Sequence, residues 1–186
     1  GAELAGNGGM NAFLDDDRVN LYGFEAGGEG PESGRHAIRF APGTGELGMF
    51  QGAKSYLLEN SEGQTLDTYS ISAGLDYASV GPEHAWLKDI GRVTYSWATD
   101  GEAMSAFKDL CETEGIIPAI ESSHAIAGAY KAALDLKAKG YEHPVMIINV
   151  SGRGDKDMNT AGKWFGYLTD EQSKALEANG AQGNNA

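Results

Sequence analysis

Short apolar runs alternate with amphipathic stretches along this chain, and their spacing predicts its elements. Val145-Met146-Ile147-Ile148-Asn149-Val150 is mostly β-branched or apolar and predicts a strand buried on both faces. It stops abruptly at Ser151-Gly152-Arg153-Gly154-Asp155, where two close glycines allow a sharp turn. Arg18 to Glu25 alternates and then runs apolar, predicting another strand, and Arg92 to Trp97 reads the same way. Pro82 suits the first turn of a helix running to about Ile90. Thr99 or Asp100 caps a helix that ends at about Glu114 before Gly115, with Ala103, Met104, Phe107, Leu110 and Cys111 on its apolar face. The apolar run Ile116 to Ile120 leads into a helix capped by Ser122 or Ser123 and continuing to Gly140. Two further helices are expected near 160–167 and 170–178. Residues 35–70 read as irregular, with a short helix at Lys54 to Leu58.

This alternation predicts an α/β fold, a three-layer αβα arrangement around a mainly parallel sheet. The expected organisation is a glycine-rich terminus at 1–12, an α/β domain at 13–168, and a polar helix with a disordered tail at 169–186.

Composition narrows the function. With 186 residues and 41% hydrophobic content, the chain can bury a real core. A net charge of −13 argues against nucleic acid or an anionic membrane as partner, because both need a basic surface. The single cysteine, Cys111, excludes an internal disulfide and a cysteine-cluster metal site. No run of apolar residues is long enough to span a bilayer and no basic-then-apolar leader is present, so the expected location is cytoplasmic.

Three segments are candidate ligand loops: Gly74 to Asp76, the region of Glu121, and the loop at Ser151. In open α/β sheets ligands sit past the carboxyl ends of strands, where the Ser151 loop is expected. Read from the residues alone, the chain is an α/β domain that binds a small polar ligand.

The same segments together resemble the tryptophan synthase β chain, a pyridoxal-phosphate enzyme of fold type II. The matching blocks are Ser70-Ile71-Ser72-Ala73-Gly74-Leu75-Asp76-Tyr77, Val80-Gly81-Pro82-Glu83-His84-Ala85, Glu114-Gly115-Ile116-Ile117-Pro118-Ala119-Ile120-Glu121-Ser122-Ser123-His124-Ala125, and Ser151 to Asp157. Gly63-Gln64 and the turn Glu25-Ala26-Gly27-Gly28 also fit. The resemblance covers roughly Phe13 to Asp157 and is to the C-terminal part of that family. It implies that the intact protein condenses L-serine with indole to L-tryptophan by β-replacement, a carbon–oxygen lyase reaction. The implied partners are an α chain and a second β chain. Lys54, Lys88, Lys131 and Lys156 do not sit in the family's Schiff-base lysine motif, so the chain alone is expected to be inactive.

Residue by residue, the resemblance implies that Ser151, beside Gly152, hydrogen-bonds the pyridine nitrogen of the coenzyme. Glu121 is implied near the ring and its hydroxyl. Asp76 is implied at the substrate's β-hydroxyl or a closing arginine, with Gly74 lining the coenzyme cleft. Carbonyls at Tyr77 and Ser79 are implied to hold a monovalent cation. Gly8, Gly9 and Asn11 stand where a phosphate loop belongs, with Met10 in place of its serine; aligned back from Phe13 without a gap, they fall instead in the helix after that loop. Phe50-Gln51 replaces an aromatic pair that often lines the family's indole channel. The competing readings are a stand-alone non-catalytic α/β domain and a piece of a related serine dehydratase-like enzyme.

Overall fold

The computed structural model describes residues 10–183, without the side chains of Glu177 and of residues 179–183. Four strands are present among them: β1 (Leu21–Ala26), β2 (Glu46–Phe50), β3 (Ala53–Leu57) and β4 (Val93–Ala98). The helices are α1 (Pro82–Asp89), α2 (Asp100–Glu114), α3 (Ile120–Ala138), α4 (Met158–Trp164) and α5 (Asp170–Gly183). The fold is mixed α/β.

Strands β1 and β4 pair in parallel, in register from Leu21 opposite Val93 to Ala26 opposite Ala98. Alternation along them separates two faces. Leu21 and Val93 pack with Leu87 of α1. From the opposite face Ala98 packs with Ala106 of α2 and with Ile126 and Ala127 of α3. Helix, sheet and helix thus form three layers around a two-stranded parallel core. Close approach of α3 depends on Gly128, where a Cβ would lie 2.3 Å from the Phe24 ring.

Local chemistry explains the best-defined boundaries. Thr99 and Glu102 form a reciprocal capping box at the start of α2, and Gly115, at φ 66°, ends it in the left-handed conformation. Pro82 opens α1 at its first turn.

Four expectations are corrected. Val145 to Val150 is not a strand: no ladder forms there, and Val145 and Ile147 are 93% and 85% exposed. An apolar run becomes a strand only where it pairs, and no described strand pairs with this one. Lys54 to Leu58 is not a helix: Lys54 to Leu57 lie in β3, antiparallel to β2. Gln51 (φ 49°) and Gly52 (φ 81°) make the tight turn between them, the left-handed pair a two-residue hairpin requires. Neither Ser122 nor Ser123 caps α3. The helix begins at Ile120, whose N–H donates to Asp157 at 3.0 Å, and the Ser123 hydroxyl donates back to the Ala119 carbonyl. Finally, the helix expected to end near residue 178 continues to Gly183.

Candidate active site

The three candidate loops meet around the first turn of α3. Glu121 projects from that turn and its Oε1 accepts the Gly74 N–H at 3.0 Å. This ties the 72–76 loop to the helix, and a Cβ at Gly74 would lie 2.6 Å from the Glu121 carboxylate and displace it. The Ser122 hydroxyl donates to the Ser151 carbonyl at 2.5 Å and lies 3.4 Å from the Ser151 hydroxyl. Gly152 turns the chain at φ 73°, and the Gly154 N–H donates to the Ile117 carbonyl at 3.1 Å. The loop then returns Asp157 to the start of α3, which it caps.

Lys156 closes this group electrostatically. Its ammonium lies 2.8 Å from Glu121 Oε2 and 2.8 Å from Asp157 Oδ2. Burial pushes the Glu121 carboxyl up, but the Lys156 ammonium, backbone N–H donation and the nearby Ser72 hydroxyl outweigh it, and the group ends below the usual glutamate value. Lys156 is shifted the other way: burial lowers it, yet its two carboxylate partners leave it above the ordinary lysine value. A lysine held protonated in this way is a poor nucleophile toward an aldehyde.

Beneath this surface sits a buried imidazole. His124 is 1% exposed, and its Nδ1–H donates to the Ile120 carbonyl at 2.9 Å. Among the described residues, its Nε2 and the Oδ2 of buried Asp100 find no hydrogen-bond partner. Burial lowers the His124 pKa and raises that of Asp100.

Asp76 is exposed and accepts the Thr68 hydroxyl at 2.7 Å. Tyr77 beside it is held at three points. Its hydroxyl donates to Gln51 at 2.8 Å, its ring meets Phe50 edge-on at 5.7 Å, and its carbonyl accepts Arg39 Nη1 at 2.7 Å. Ser79 is buried and bridges Leu57 of β3.

Asn11 is not brought to this cluster. It lies in a 3₁₀ turn after Met10, which packs on Leu21, Leu87 and Val93 at the N-terminal ends of β1 and β4. Glu121 and its partners gather near the other end, beyond Asp100, whose Oδ1 accepts the Ile71 N–H. Gly8 and Gly9 lie outside the described residues.

Comparison with known proteins gives the chain its relatives. The chain is 58% identical over 159 residues to the tryptophan synthase beta chain of Mycobacterium tuberculosis, covering 86% of this chain and 36% of the relative. The Mycobacterium leprae tryptophan synthase beta chain is 56% identical over 160 residues, covering 86% and 37%. That of Bordetella parapertussis is 49% identical over 165 residues, covering 86% and 40%. Over 86% of its length the chain is a homologue of part of the tryptophan synthase beta chain. It spans about two fifths of the length of these relatives. No family model matches it.

Within this family frame, the residues present suit one side of pyridoxal phosphate. A neutral hydroxyl at Ser151 and a backbone turn free of Cβ at Gly152 are fit to meet the ring nitrogen. The covalent anchor does not fit here, because Lys156, the lysine of this cluster, is spent on two carboxylates. Lys156, the Arg39 contact to Tyr77 and the Asp157 cap are features that sequence reasoning missed. Lys156 alone carried a local signal, as a cation beside Asp155 and Asp157.

Proposed function

We propose that this chain forms the ring-facing part of a tryptophan synthase β active site. The parent enzyme is a pyridoxal-phosphate lyase that replaces the β-hydroxyl of L-serine with indole to give L-tryptophan. The observation that carries this reading is the hydrogen bond from Gly74 to Glu121, which joins two loops on the helix turn that also holds Ser151.

Pyridoxal phosphate, when bound, supplies an electron sink for the carbanion at the substrate Cα. The chain's own residues prepare that site. Ser151 presents a neutral partner to the ring nitrogen, which leaves the ring a weaker sink than a carboxylate partner would and favours prompt loss of the β-hydroxyl. Glu121 is held ionised, so near neutral pH it accepts hydrogen bonds and has no proton to donate. Asp76 stands at the exposed mouth, orients the substrate hydroxyl and needs only to release Thr68. The proposed partners of the parent enzyme are an α chain and a second β chain.

The test is to incubate the chain with pyridoxal phosphate, L-serine and indole, alone and with the remaining part of a tryptophan synthase β chain bearing its coenzyme lysine. Tryptophan is expected only from the mixture, and Glu121→Gln is expected to abolish it. Tryptophan made at an enzyme-like rate by the chain alone, or a mixture indifferent to Glu121→Gln, overturns the reading.

A further inference from the structure

We propose that the guanidinium of Arg39 is the resident cation of the Asp76–Ser79 loop, occupying the place where an alkali-metal ion would otherwise sit. The inference takes the loop's part in the site from the function proposed above.

Arg39 is buried, its side chain 5% exposed, and it reaches the loop from the segment that follows β1. Its Nη1 donates to the Tyr77 carbonyl at 2.7 Å. Its Nε donates to Glu25 Oε1 at 2.9 Å, and the Glu25 side chain is also only 5% exposed. Glu25 in turn accepts the backbone N–H groups of Arg39 and Phe40, each at 3.0 Å. The cation is therefore built in, with its counter-ion behind it in β1 and its free edge aimed at the loop. A buried charge is tolerated only when paired and hydrogen-bonded, and this one is both.

An alkali-metal ion needs several oxygens with lone pairs to spare and no cation close by. The loop fails the second condition. The Tyr77 carbonyl carries the guanidinium, and the next carbonyl, Ala78, accepts the Leu58 N–H at 2.9 Å. A metal ion sharing the Tyr77 oxygen would face a positive charge in a desolvated setting, where repulsion is poorly screened. Arg39 thus supplies permanently the charge that a dissociable ion supplies only when bound, and fixes the peptide that follows Asp76.

The test uses the 186-residue chain in choline buffer, with thallium(I) as the ion probe. For the wild type, the Tyr77 carbonyl carbon shift in NMR and the thermal midpoint are expected to stay unchanged when thallium(I) or potassium replaces choline at equal ionic strength. Saturable thallium(I) binding at this carbonyl, or a midpoint that follows potassium, overturns the proposal. The paired change Glu25→Gln with Arg39→Gln removes the cation and its counter-ion together. It is expected to make the Tyr77 carbonyl respond saturably to thallium(I), and a folded variant as indifferent as the wild type overturns the stand-in role. If the variant does not fold, the wild-type arm still decides. Neither readout involves coenzyme or substrate, so failure of the proposed catalytic function leaves both interpretable.

Discussion

Glu121 and Gly74 are joined by a 3.0 Å hydrogen bond across 47 residues of sequence, and the bond is strongest while the carboxylate is ionised. Because the folded-state pKa of Glu121 is depressed, its contribution to stability is present above the ordinary glutamate range. That contribution is lost as pH falls through the depressed value. Lys156→Met is expected to raise the titration midpoint of Glu121, read by carboxyl-carbon NMR. Lys156 is half exposed, so the cost to global stability is expected to be at most about 1 kcal/mol. An unmoved midpoint would show that backbone donation alone keeps the carboxylate charged.

Gly128→Ala is expected to push the Phe24 ring off α3, since the added carbon would sit 2.3 Å from it. The expected cost is about 1–3 kcal/mol in urea unfolding. Combining it with Phe24→Leu should recover part of the loss. Additive losses would mean that the ring and the glycine do not share the space.

His124 is buried as a neutral imidazole with its pKa held down by burial. The unfolded chain binds a proton more readily than the folded one between the usual histidine value and this lowered one. Stability is therefore complete above about pH 6.5 and falls as the medium is acidified below it. Asp100, raised by burial, and Glu121, lowered, also titrate near it. His124→Asn keeps a donor for the Ile120 carbonyl and is expected to be less stable near neutrality but to flatten the first acid decline. Circular dichroism during denaturant titration at several pH values checks this, and an unchanged slope contradicts it.

Val145→Thr and Ile147→Thr are expected to change stability by no more than about 0.5 kcal/mol while improving solubility, because both side chains face solvent. Ile126→Ala, in the α2–α3 core, is expected to cost about 2–5 kcal/mol. Comparable losses at all three sites would show that the 145–150 run is buried in solution.

The elements legible in the sequence are those whose signals are local. Pro82, the Thr99–Glu102 box and Gly115 mark α1 and α2 within a residue, because each acts on the backbone beside it. The meeting of the Gly74, Glu121 and Ser151 loops came from resemblance rather than from spacing. Where partners are distant, the residues alone were silent. Glu25 and Arg39 pair across 14 positions with no local pattern, and the cap of α3 lies 37 residues downstream. The β3 strand was misread because five alternating residues also suit a helical turn; the decisive sign was Gln51-Gly52 ahead of it. The Val145–Val150 run was misread for another reason: apolar composition states a preference for burial and does not supply the neighbour.

The Asp157 contact to Ile120 has a consequence for synthesis. On the ribosome α3 emerges before the residue that satisfies its first N–H. The bond that fixes its opening turn, and with it the position of Glu121, forms only once Asp157 has been added. The loop proposed to meet the ligand is thus also the clasp that finishes the helix.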